Sequence, residues 1–385
     1  MSETISTDIL VEWLQRFVRR PSEQSEEMEQ DPAIQSFIRD EVKPLVEELG
    51  LKGRLDDYGN LIVDSGPENG EPMLATFAYA MTHPRSTMPS PFAGEVIEAS
   101  EGTYVRGRGI SEQKSSLVAS LAAFAEFAKS GSSPHRLSWV LLTAGETGRH
   151  DAVAAAIKEM GGKPRFALVV TGSNGNFSIG NRGRLDVEVI IEGRPAHSST
   201  PWKGVDVTRG VEQILRKASL INEQLPKHPT LGPASLTCTS IRTRPDATHT
   251  IQSHARLAYD RRLLPGETPD VVVKRLKELL TVEPPLRCSV SAGAFMYGAA
   301  LDPGSELLVE IAAALKSQNL AMPKVFYADG ALDLGYLHHH NTQALKWGPG
   351  DPAQFHTDDE RVAVAEVVLM VKRYNAVYRH FANLP

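Results

Sequence analysis

At Arg184 the chain changes its hydrophobic rhythm, and a single sheet cannot hold both sides of the change. Upstream, residues 61–63, 73–79, 137–142 and 166–170 are near-continuous apolar runs, the pattern of strands in a sheet covered on both faces. Helical spacing separates them, after Lys114 and over 152–160. Downstream, Leu185, Val187, Val189 and Ile191 alternate with Asp186 and Glu188, which describes a strand with one wet face. The order after it reads helix (205–225), strand (235–241), strand (255–262), helix (269–280), strand (287–291). That is βαββαβ, a ferredoxin-like unit with its own antiparallel sheet.

From about Gly293 the first rhythm resumes, with a helix over 306–316, a strand over 343–346 and a last helix over 361–380. The expected fold is therefore α/β, a mixed sheet with helices on both faces, interrupted by an α+β ferredoxin-like insertion. The expected division is 1–183, 184–292 and 293–385, the outer two parts forming one domain. Helices over 5–18, ending before Pro21, and over 32–49 precede the first strand.

A chain of 385 residues is too long for one ordinary core, which agrees with two domains. The formal net charge of −6 comes with no basic run or basic amphipathic helix, an argument against a nucleic-acid or membrane-surface role. Cys238 and Cys288 alone make neither a disulfide framework nor a cysteine metal site. The first ten residues carry acids and no apolar core, so no signal peptide is expected and the expected location is the cytoplasm.

Chemistry-bearing residues gather at strand ends. In Y-V-R-G-R-G-I-S-E-Q-K-S-S (104–116) two glycines and Glu112 lead into a helical stretch, which can hold a carboxylate firmly at a helix start. T-A-G-E-T-G (143–148) places Glu146 just past a strand, where ligands bind in open α/β sheets. G-P-G-D (348–351) follows another strand, and His356 comes soon after. Glu112, Glu146 and His356 make a possible zinc ligand set, although Glu146 could instead cap a helix and His356 could be a solvated loop histidine. In the insertion, G-R-P-A-H-S-S-T-P (193–201) puts His197 on a loop, and Asp260-Arg261-Arg262 closes a strand. An arginine there can clamp a carboxylate or make a surface ion pair. The run His338-His339-His340 reads as a solvent-facing loop.

Taken in order, these segments resemble the dizinc amidohydrolases that include acetylornithine deacetylase, succinyl-diaminopimelate desuccinylase, aminoacylases and glutamate carboxypeptidase. The likeness covers nearly the whole chain: Gly59-Asn60-Leu61, Pro91-Phe92-Ala93-Gly94, G-R-G-I-S-E-Q-K (107–114), N-R-G-R-L (181–185), G-R-P-A-H-S-S, Asp260 to Arg262, and G-P-G followed by His356-Thr357. It implies that the insertion is a lid and dimerisation domain. It also implies an active site of two metals sharing an acid, a glutamate base, and a histidine from the partner's lid.

Several of those positions depart from the family. Its histidine–any residue–aspartate triplet aligns with Ala78-Tyr79-Ala80, and the acid after the next strand aligns with Thr171. The paired glutamates align with Gly145-Glu146, so the base position is Gly145; a one-residue slip would instead make Glu146 the base and put Thr147 at the ligand position. On the first register Glu112, Glu146 and His356 remain as ligands for at most one zinc or other divalent metal per chain. His197 matches the histidine that polarises the scissile carbonyl, Arg262 the family's arginine, and His249 the position of its asparagine. Two readings follow. One is a rebuilt amidohydrolase of altered or weak activity on a small carboxylate-bearing amide. The other is a non-catalytic homodimer that binds a small ligand or a protein partner.

Overall fold

Two separate sheets account for the change of rhythm at Arg184. The computed structural model describes residues 5–130, 133–145 and 147–384, with the side chain of Glu29 left aside. The chain divides into two compact units: residues 1–179, 301–326 and 337–385, and residues 180–300 with 327–336.

In the first unit the main sheet runs in the order Gly53–Leu55, Leu61–Ser65, Leu137–Leu142, Leu74–Tyr79, Phe166–Val169, Gln343–Lys346, Phe177–Asn181. Its central members, Leu137–Leu142 to Gln343–Lys346, pair in parallel, while Leu61–Ser65 joins antiparallel. The apolar runs are buried residue after residue, as a sheet covered on both faces requires. Helices Ser115–Ala128 and Val364–Phe381 are tied to it by polar side chains that find partners inside the core. Trp139 donates to Ser120 at 3.0 Å and Tyr378 to Thr76 at 3.0 Å.

The expected helix over 32–49 forms with a flaw that has a cause. Asp31 caps it through the Ala33 N–H at 2.7 Å, and a wide turn, Phe37–Val42, then precedes Lys43–Glu48. Pro44 lies within that last stretch, and a proline in a helix interior loses a bond and collides with the carbonyl four residues back. The wide turn relieves that collision. The last helix begins at Val364 and not at residue 361, because Arg361–Ala363 pairs with Gly102–Arg106. With Glu95–Ala99 these strands make a small three-stranded sheet that the sequence pattern does not announce. Two of the three histidines are not in a loop: His338 and His339 end the helix Leu334–His339, with His338 Nε2 2.9 Å from the Ala344 carbonyl, and His340 follows in an exposed turn.

The second unit has the strand order Ser235–Arg244, His254–Leu263, Gly183–Glu192, Arg287–Met296. Every neighbouring pair is antiparallel, giving the 2-3-1-4 arrangement of a ferredoxin-like sheet. Leu185, Val187, Val189 and Ile191 all face one side, where they pack with Ile214 and Leu276 of the helices Val207–Glu223 and Pro269–Leu279. The alternation noticed in the sequence is the difference between that side and the open one. Among the described residues no helix is long and apolar enough to cross a membrane.

One buried cation ties the first helix to the segment that follows the Gly109 turn. Lys114 is fully buried, with Nζ donating to the Phe17 and Arg20 carbonyls at 2.7 and 2.9 Å. Burial pulls its ammonium down to about 7, and a neutral amine has the two N–H donors that these carbonyls need. An unfolded lysine titrates near 10.4. Between those values the unfolded chain holds a proton that the folded chain has released, so stability rises with pH across that window. Urea unfolding midpoints should climb between pH 7.5 and 9.5 in the native protein and climb less in Lys114→Met.

Candidate functional site

The Glu112 carboxylate is set by a backbone that only glycine can start. Gly109 has φ of +75°, and a Cβ there would overlap the Thr82 side chain. The Lys114 N–H then reaches the Gly109 carbonyl at 2.8 Å, making the wide turn Ile110–Lys114 that carries buried Glu112 into the helix Ser115–Ala128. A second buried carboxylate, Glu360, fastens this turn from the other end of the chain. It accepts from Arg108 Nη1 at 3.0 Å and from the N–H groups of Gly109, Ser111 and Glu112 at 2.9, 3.0 and 3.3 Å. Burial pushes the Glu360 carboxyl up, and its N–H partners and Arg108 pull against that rise.

His356 lies four residues before Glu360 and has φ of +62°, an uncommon conformation for a residue with a side chain. Its Nε2 stands 3.2 Å from Glu112 Oε2. Burial alone would raise the Glu112 carboxyl, but the hydrogen bond and charge of His356, with Lys346 nearby, hold it below the usual range. Against the other face of His356 lies His83, ring centroids 3.7 Å apart and planes within 15°. Burial, followed by its cationic neighbours, lowers the His83 imidazole. The sequence reading missed His83; its one signal was an imidazole just past the strand Leu74–Tyr79.

Of the three expected metal ligands, the structure brings Glu112 and His356 together, while Glu146 lies outside the described residues. Among the described residues no group of three or more His, Cys, Asp or Glu could hold a metal ion. Ala78 and Ala80 are fully buried. Thr171 donates its hydroxyl to the Glu112 carbonyl at 2.8 Å, beside the Gly172 N–H at 2.7 Å. The side chain set against the Gly145 loop is Tyr79, the middle residue of the triplet: a Cβ on Gly145 would run into its ring.

On the insertion, His197 and His249 become neighbours. The Ser198 N–H donates to the His249 carbonyl at 2.9 Å, and the two imidazole centroids are 6.5 Å apart. His197 is exposed, with Nδ1 2.8 Å from the Ser199 hydroxyl. Arg262 turns its guanidinium onto Asp260, at 2.8 Å through Nε and 3.2 Å through Nη2, so its fork is occupied within its own strand.

The Gly145–Tyr79 contact gives a direct test. Gly145→Ala adds one methyl against the ring and should destabilise the protein by about 1–3 kcal/mol, the usual cost of overpacking. The loss should largely disappear when Gly145→Ala is made in a Tyr79→Ala background. Urea unfolding of the four proteins measures the coupling.

Residues 179–287 match the peptidase dimerisation domain of the M20 family. A candidate LysW-lysine/LysW-ornithine hydrolase of Pyrobaculum aerophilum is 27% identical over 335 residues, covering 86% of this chain and 88% of that protein. A succinyl-diaminopimelate desuccinylase of Wolinella succinogenes is 25% identical, covering 72% and 75%. Among solved structures, a tripeptidase from Staphylococcus aureus superposes with a TM-score of 0.77 at 16% identity, over 99% of this chain and 100% of that one. A Bacillus subtilis protein described as a dinuclear metal-binding peptidase of the M20 family gives 0.70 at 11% identity, over 97% of each. At such identities the superpositions speak for the fold. Together with the inserted βαββαβ unit and the motifs along the chain, they make this protein a relative of the M20 metallopeptidases and amidohydrolases.

Proposed function

We propose that this chain is an M20-type amidohydrolase whose two-metal centre has been dismantled. On this reading it is a homodimer that binds a small carboxylate-bearing amide and hydrolyses it weakly at most. One observation carries the reading: residues 78–81, Ala-Tyr-Ala-Met, supply neither imidazole nor carboxylate whichever way the family triplet is aligned. Tyr79 against Gly145, and the Thr171 hydroxyl on the Glu112 carbonyl, support it further, because both occupy positions the family uses for ligands or base.

The residues present do not fit a pair of metals. Glu112 and His356 offer two donors at one place, and a structural or catalytic zinc needs at least three protein ligands. Glu146 would be the third on the sequence register that keeps Gly148 in its family position, which limits the chain to one zinc or other divalent ion. In the lid, His197 would act on the carbonyl of a bound ligand with His249 beside it, and Arg262, opposite Arg184 at the other end of the sheet, would serve as a second recognition group. Lacking a general base alone typically costs about 10²–10⁴ in rate. Non-catalytic ligand binding is the second reading, and the same apolar stretch 78–81 favours it.

Metal analysis of purified protein, paired with a screen of N-acyl amino acids and dipeptides, tests the proposal. At most one metal per chain should be found, lost in His356→Ala, with turnover absent or feeble. Two metals per chain together with strong, chelator-sensitive turnover would overturn it. Dimerisation is supported by the matched dimerisation domain over 179–287. Sedimentation at micromolar concentration should give a dimer, and a full-length monomer there would refute that part.

A further inference from the structure

The open face of the insertion's sheet is divided by charge. At one end the ions cancel: Arg184 bonds Asp186 at 2.8 and 2.9 Å, and Arg262 bonds Asp260. At the other end they do not. Residues in register across neighbouring strands share a face. One row there is Arg244, His254, Glu192 and Arg287, and the next begins with Arg242 opposite Arg256. Arg256 is taken up by Glu188. The side chains of Arg242, Arg244 and Arg287 are exposed and make no hydrogen bond or ion pair among the described residues. Four arginines and a histidine thus surround two glutamates, in a chain whose formal net charge is −6. Like charges set directly opposite each other, as Arg242 and Arg256 are, destabilise a sheet. An open cavity of about 920 Å³ lies at the Arg242–Arg244 end of these rows, where the one acid lining it is Asp246, beside Arg242, Arg244, Pro195 and Ser253.

We propose that this end of the insertion is a docking site for an acidic, extended polypeptide segment. The choice rests on charge and size. From Arg244 to Arg287 is three strand spacings, about 14 Å, wider than a single small carboxylate can bridge. Four to five extended residues cover that distance at about 3.3 Å each. A single-stranded nucleic acid would also bring charge, but it binds through aromatic platforms on which bases stack. The two cationic rows contain no Trp, Tyr or Phe: Arg242, Arg256, Ile190 and Ser289 form one, and Arg244, His254, Glu192 and Arg287 the other. The site lies wholly on the second unit and does not depend on the proposed function.

Fluorescence anisotropy of the full chain with a labelled octa-glutamate peptide tests this, alongside octa-lysine and an eight-nucleotide oligo-dT. Octa-glutamate should bind, weakening as salt rises, and octa-lysine should not. Arg242→Glu with Arg244→Glu should weaken octa-glutamate at least tenfold while circular dichroism and the sedimentation coefficient stay unchanged. No binding of octa-glutamate at millimolar concentration, or a loss under tenfold in the folded double variant, would overturn the proposal. Oligo-dT binding as tightly as the peptide would reassign the face to nucleic acid. Loss of the dimer in the double variant would reassign it to a second copy of this chain.

Discussion

The buried Glu360 carboxylate holds the candidate site together. A carboxylate taken out of water must be met by donors, and an arginine taken out of water must be met by an acid. Arg108 and Glu360 are both almost wholly buried, and Glu360 completes its shell with the N–H groups of Gly109, Ser111 and Glu112. Those N–H groups are free because they belong to the first turn of a helical segment, where no carbonyl precedes them to accept. The pair therefore need not add net stability to matter. It fixes which backbone path the turn takes, and with it where Glu112 points. Because Glu360 lies four residues after His356, the same anchor limits where the imidazole can stand.

Much of this architecture could be read from the sequence, for identifiable reasons. Strands buried on both faces are written as unbroken apolar runs, and the one-faced strand at Leu185–Ile191 as an alternation, so both sheets and the insertion were legible. The Glu95–Ala99 strand was not, since almost every side chain in it is exposed and burial leaves no period behind. Arg361–Ala363 is three residues long, too short for any pattern, and its pairing with Tyr104–Arg106 is a tertiary choice. At the site, Glu112 and His356 were legible because glycine turns flank them. His83 was not, because stacking on a residue far away in the chain leaves no spacing. The Glu360 anchor was hidden for a related reason: an acid in a run of acids, Asp358-Asp359-Glu360, looks like solvent-facing charge until its burial is known.

On the proposed reading, the residues that stand where the family has a base or a ligand are held by their neighbours. Removing a glutamate at position 145 would leave a hole, but the Tyr79 ring lies where a side chain on that residue would begin. Removing an acid at position 171 would leave a buried polar position, but the threonine hydroxyl there donates to the Glu112 carbonyl. The Tyr79 ring and the Thr171 hydroxyl are both taken up by close neighbours.

Electrostatics supplies the remaining link. Carboxylates brought together around metal ions repel one another, and the cations are what make such a cluster tolerable. Once two-metal binding is given up, each extra acid becomes a cost, and the stable arrangement is one in which a remaining carboxylate has a single cationic or hydrogen-bonding partner. The Glu112–His356 contact has that form: one buried acid, one imidazole at 3.2 Å, and Lys346 close enough to favour the ionised state.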